Sequence, residues 1–193
     1  MKKKITVVFC LILFQIFAFA QERLINWDVA LSTGIPIHSS TTEATKSEIL
    51  INADFKRIIA GCTGDVVFNI TEPVKFILGA DAFCEFLWDG PEHHNSLDYS
   101  FHGGIKIYPN LGGFNFSIAY VFGSEYTFYN TEEAGKSNYA SAWGNGFRFA
   151  FEYDFFYNEE AKFYPIVGGY YKYMPRGNYT FDHIIAVYAG LRL

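Results

Sequence analysis

The stretch "FNFSIAYVFGSEYTFY", residues 114–129, sorts its side chains into two files. Phe114, Phe116, Ile118, Tyr120, Phe122, Tyr126 and Phe128 fall on even positions, with Ser124 the one polar member; Asn115, Ser117, Ala119, Val121, Gly123, Glu125 and Thr127 fall on odd ones. A period of two is the signature of a β-strand whose faces meet different surroundings. A water-soluble sheet would bury the aromatic file, whereas a membrane barrel would turn it outward. The rest of the chain decides between them.

Six further segments alternate in the same way. In Arg23–Ile35, Ile25, Trp27, Val29 and Leu31 stand against Asn26, Asp28, Ala30 and Ser32. Val74–Trp88 sets Phe76, Leu78, Ala82, Cys84 and Phe86 against Lys75, Gly79, Asp81 and Glu85. Ser96–Tyr108 sets Leu97, Tyr99, Phe101 and Ile105 against Asp98, His102, Gly104 and Lys106. Ala142–Tyr157, Phe163–Met174 and Tyr179–Leu193 follow, with Arg148, Glu152, Asp154, Lys172, Asp182 and Arg192 on their polar files. Residues 48–71 are harder to read. "DVVFNIT" alternates, and the preceding "SEILINADFKRIIAG" either extends that strand past a bulge near Gly61 and Gly64 or forms a short helix capped by Ser47 and stopped at Gly61. One long strand is preferred, because eight strands give the even, up-and-down closure of bacterial barrels.

The polar files together collect Asp28, Asp65, Asp81, Glu85, Asp98, Glu125, Glu152, Asp154 and Asp182, along with Lys75, His102, Lys106, Arg148, Lys172 and Arg192. A soluble sandwich or lipocalin-like barrel would leave this side wet. That is the plainer alternative; what the charges exclude is a soluble sandwich with this side as its core, since each unpaired buried charge costs several kcal/mol. Inside a barrel opposite charges pair, and the apolar files meet lipid with every backbone group satisfied. The fold class expected is therefore an all-β, eight-stranded antiparallel up-and-down transmembrane barrel. Trp27, Trp88, Tyr126, Trp143 and Tyr173 are candidates for its interfacial girdles.

The beginning of the chain agrees. "MKKKITVVFCLILFQIFAFA" has a basic start, an apolar middle and a small-x-small end at Ala18 and Ala20, which predicts an export signal at residues 1–20 cleaved before Gln21. Cys10 lacks the small residue expected before a lipidated cysteine. Cleavage would remove three lysines and no acids, moving the net charge from −5 to −8; that balance argues against nucleic-acid binding. Aromatics at 20% and hydrophobics at 50%, with a mean hydropathy near zero, fit apolar residues diluted at every second place.

The short connections near Pro73, Asn110 and Glu159 read as turns, and the polar stretches 36–47, 89–95, 130–139 and 175–178 as longer exposed loops. This asymmetry, the leader and the closing strand "IIAVYAGLRL" together resemble the small eight-stranded outer-membrane barrels, the class that includes the OmpA membrane domain, OmpX and OmpW. The resemblance implies a bacterial outer-membrane location, contact with lipids, a monomer, and insertion by the barrel-assembly machinery through the last strand. There Val187, Ala189 and Leu191 keep the alternation, and Leu193 stands where an aromatic residue is usual. It implies either a structural or surface-interaction role through the loops, or a narrow conduit for small or hydrophobic molecules.

No cofactor is called for. Within the bore, Asp28, Asp81, Glu85, Asp98, His102, Lys106, Arg148, Glu152, Lys172 and Arg192 are expected to form an ionic network. Cys62 and Cys84 share the lipid-facing parity, and a turn pairing Ile70 with Phe76 would set them opposite each other for a disulfide. The loop "DGPEHHN" offers Asp89, Glu92, His93 and His94 as metal donors, and His94 with Ser96 and Glu92 could imitate the rim triad of lipid-modifying barrels. A solvated loop is the plainer reading of both, and no nucleophile motif supports an enzyme.

Overall fold

A computed structural model describes residues 25–38, 46, 49, 54–132, 134–157, 163–175 and 181–193. The expected leader lies outside them. Nine strands lie among the described residues: β1 (Ile25–His38), β2 (Lys56–Asn69), β3 (Val74–Asp89), β4 (Glu92–Leu111), β5 (Phe114–Thr131), β6 (Gly135–Ala140), β7 (Gly144–Asp154), β8 (Tyr164–Pro175) and β9 (Phe181–Arg192). All pairings are antiparallel, and the added β4–β5 pairing closes the sheet on itself. Around the ring the order is β1, β2, β3, β4, β5, β7, β8, β9 and back to β1.

β6 and β7 together make one stave. The lower part of β5 pairs with β7 as far as Gly123↔Gly144, and its upper part pairs with β6 from Tyr126↔Ala140 onward. Between them Ser124 and Glu125 face three residues, Ser141–Trp143, a β-bulge with one extra residue. Ser141 holds it: its amide donates to the Glu125 carbonyl (2.8 Å), while its Oγ accepts from the Glu125 amide (2.9 Å). Trp143 continues the outward file of β7, and it stacks on Phe122 (4.8 Å) and meets Tyr99 edge-on (5.7 Å). The barrel is thus eight-stranded, with its sixth stave broken in two.

Staves differ in height. β4 and β5 have 20 and 18 residues, whereas β8 and β9 have 12 each, and β7, the lower piece of the broken stave, has 11. At roughly 3.3 Å per residue and a tilt of about 40°, the short staves just cross a hydrocarbon core of about 30 Å. By the same arithmetic the tall ones project by roughly 15–20 Å beyond it. The outward file of β4 changes accordingly, from Ile107, Ile105 and Phe101 below to the polar Asn95 and His93 at the top. Outward Leu31, Ile118, Phe149 and Val187 are each about half exposed or more, the band expected to meet lipid.

Several loop expectations are corrected. Residues 89–95 are not a long loop: Asp89 pairs with Glu92 across Gly90-Pro91, with Gly90 at φ 56°, so the strands run on to a two-residue turn. Residues 135–140 of the expected 130–139 loop are β6, and β1 runs on through Pro36 to His38. The preferred long strand from residue 48 is also corrected. β2 begins at Lys56, while Lys46 and Ile49 are helical and buried, their three-residue spacing placing both on one helix face. Gly61 stops nothing; it lies inside β2.

The disulfide expectation fails on register. The turn pairs Phe68 with Phe76, so Cys62 faces Ala82 and Cys84 faces Ala60. The Ile70 and Thr71 amides both donate to the Val74 carbonyl, closing the hairpin two residues tighter than a pairing of Ile70 with Phe76 would require. A slip of two preserves the face and changes the partner, and both thiols are free.

Candidate functional site

The inward files meet in a bore filled at three levels. At the turn end, Arg192 of β9 reaches Asp28 of β1 with two nitrogens (Nε–Oδ1 2.7 Å, Nη2–Oδ2 2.8 Å) and Glu152 of β7 with Nη2 (3.0 Å). Its Nη1 bonds Asp154 and donates to the Tyr108 hydroxyl (2.5 Å). Lys106 of β4 bridges Asp28 (2.8 Å) and Glu152 (3.0 Å). Asn115 and the Tyr188 hydroxyl supply Glu152 with further donors, each at 3.0 Å. Lys75 lies 4.5 Å above the Tyr108 ring, itself stacked on Tyr157 (4.7 Å).

At mid-height Lys172 donates to Asp81 and Asp98, both at 2.6 Å, and Ser100 donates to Asp81 at 2.7 Å. His102 faces Asp65 (2.7 Å) with Nε2 and Asp81 (3.5 Å) with Nδ1. Arg148 lies over the Tyr170 ring at 4.4 Å, with a nitrogen 3.2 Å from His102. Arg148 thus belongs to the middle level. Apolar side chains pack between the charges, chiefly Phe83, Ile166, Tyr170, Ile184 and Tyr188, with Val67, Ile77 and Ala119 as a second cluster.

The third level is the outer mouth. His38, at the end of β1, sets Nδ1 2.7 Å from Asp182 Oδ1 of β9 and 3.4 Å from Glu125 Oε1 of β5. Its Nε2 lies 3.3 Å from Glu85 Oε2 of β3. Glu85 in turn receives Arg57 of β2 (2.5 Å) and Lys46 (2.9 Å). The His38, Glu85, Glu125 and Asp182 side chains are all at most 4% exposed. His38, Lys46, Arg57, Asn115, Tyr108 and Tyr188 are members that the sequence reading passed over. The signal for His38 was available: it continues the inward parity of Asp28, Ala30 and Ser32, three residues past the point where alternation was followed.

Other candidates do not converge. Glu92, His94 and Ser96 stand in one row on β4, with His94 fully buried and stacked on Tyr129 (6.1 Å), so they form no rim triad. Glu92 accepts the Glu132 amide, tying the two outer hairpins together (2.6 Å). His93 points to the other face, edge-on to Phe128 (5.9 Å), and thus away from His94. Between the lower two levels remains a cavity of about 10 Å³ lined by Asp28, Thr63, Asp65, Arg148 and Glu152 among others, room for about one water.

This closed, ion-filled barrel with an apolar outer band has the fold of the small eight-stranded outer-membrane barrels. Solved structures that share the fold include Ail and NspA. Ail, the attachment invasion locus protein of Yersinia pestis, is 10% identical, with 88% of this chain and 96% of that one covered and a TM-score of 0.54. Neisserial surface protein A (NspA) gives the same identity and coverage with a TM-score of 0.53. No family model and no curated protein matches the chain.

Proposed function

We propose that this protein is a bacterial outer-membrane barrel that acts as a rigid, non-conducting scaffold and presents its tall hairpins, β3–β4 and β5–β6, to partners at the cell surface. The observation that carries this reading is the filled bore. Among the described residues, three levels of paired charge and interleaved apolar groups fill the bore, and the cavity between the lower two is fit for about one water. That speaks against the conduit reading, because a passage needs continuous free volume. The row of Glu92, His94 and Ser96, turned into the barrel, speaks against the rim-enzyme reading.

We further infer export with cleavage after Ala20, insertion through β9 by the assembly machinery, and a monomeric state. The mature chain refolded in detergent should run as a compact band that shifts on boiling, and in a planar bilayer it should give no steady conductance. Steady single-channel steps from the folded protein would overturn the scaffold reading in favour of a conduit. Mass analysis of the chain from outer membranes should find Gln21 at its start. Trimming the hairpins at residues 86–95 and 128–138 should abolish surface binding while keeping the compact band.

A further inference from the structure

We propose that the outer mouth of the bore is a binding site for a divalent transition-metal cation, with His38 Nδ1, Glu125 and Asp182 as its protein ligands. These three donors come from β1, β5 and β9. β5 stands across the barrel from β1, so the ligand atoms meet over the bore, all within 4.8 Å of one another. Zinc binds imidazole and carboxylate at about 2.0–2.2 Å, which places tetrahedral donors about 3.3–3.5 Å apart. The His38–Glu125 separation of 3.4 Å already matches, and the 2.7 Å to Asp182 is a hydrogen bond that opens as the ion replaces the proton. The backbones stay in place, because all three positions lie on paired strands and only side-chain torsions need to adjust.

A second observation is independent of the ligand cluster. The other ring nitrogen of His38 faces Glu85 at 3.3 Å, and Arg57 and Lys46 hold that carboxylate (2.5 and 2.9 Å). A ligating histidine normally gives its remote N–H to a carboxylate, which fixes the ring and raises its basicity. Here that carboxylate is present and anchored by two cations. One neutral imidazole, two carboxylates and a 2+ ion make an electroneutral ligand set, which lowers the cost of burying the ion. Imidazole with carboxylate suits zinc and its first-row neighbours and disfavours calcium or magnesium, which seek all-oxygen sets. The bound ion would tie β1 and β9 to β5 and brace the barrel at its outer end.

The test uses zinc itself on the mature chain refolded in detergent and stripped with chelator. Calorimetric titration should find one site per chain, and zinc should raise the temperature at which the compact band is lost. Glu85→Gln should weaken binding by about 10- to 100-fold, and His38→Gln by more. His93→Ala and His183→Ala should leave it unchanged. Compact-band migration establishes that each variant is folded; should His38→Gln fail that check, Glu125→Gln and Asp182→Asn take its place. The proposal is overturned by failure of the folded wild type to take up zinc, by undiminished uptake in a folded ligand variant, or by loss of uptake on changing His93 or His183.

Discussion

The two ends of the bore use the same kinds of group to different effect. At the turn end, Asp28, Glu152 and Asp154 meet Arg192 and Lys106, cations that do not give up their charge at physiological pH. At the outer mouth a histidine takes the central place, with Glu85, Glu125 and Asp182 around it. A guanidinium fork with both ends engaged is a permanent plug. An imidazole can exchange its proton for another electrophile. One end is therefore built to stay shut, while the other has the chemistry to respond to its surroundings.

The largest test of that contrast is Arg192→Met. It leaves Asp28 without two of its donors and removes a bond each from Glu152 and Asp154. Breaking a buried ion pair from one side costs about 3–5 kcal/mol, read as a marked fall in the denaturant midpoint for loss of the compact band. The cycle of Lys106→Met with Glu152→Gln is finer. The double variant should be more stable than the sum of the two singles predicts, by roughly 0.5–3 kcal/mol, because neutralising both partners leaves less stranded charge. At the mouth, His38→Gln without metal should cost only about 1 kcal/mol, since glutamine still offers a donor. Similar loss by His38→Gln and Arg192→Met would erase the distinction between the ends. Ser141→Ala, which removes the hydroxyl from the bulge beside Glu125, should likewise cost about 1 kcal/mol. The smallest effect expected is none: reducing agent should not change migration, because Cys62 and Cys84 are free and each faces an alanine.

Inside and outside were legible for nearly every strand residue, because parity depends only on counting along one strand. That is why Asp28, Asp81, Lys106, Lys172 and Arg192 stand on the bore side, and why Cys62 and Cys84 share a face even though they are not opposite each other. Heights were not legible. Alternation weakens where both faces become polar, so the run Asp89–Asn95 reads as loop although its hydrogen bonds continue to Asp89 and Glu92. The break between β6 and β7 was hidden for a related reason: one extra residue shifts parity, and Ser141–Trp143 then reads as the start of a strand rather than its interruption.

What the chain determines by itself is thus a closed sheet with a polar interior, since alternation, an even strand number and the cost of unpaired backbone in lipid leave little else. What only the tertiary structure decides is who meets whom. Arg192 and Asp28 are 164 residues apart, and His38 and Asp182 are 144 apart. Such pairings follow from stave order, register and tilt summed around the whole ring, and a slip of two residues at any turn keeps every face while replacing every partner.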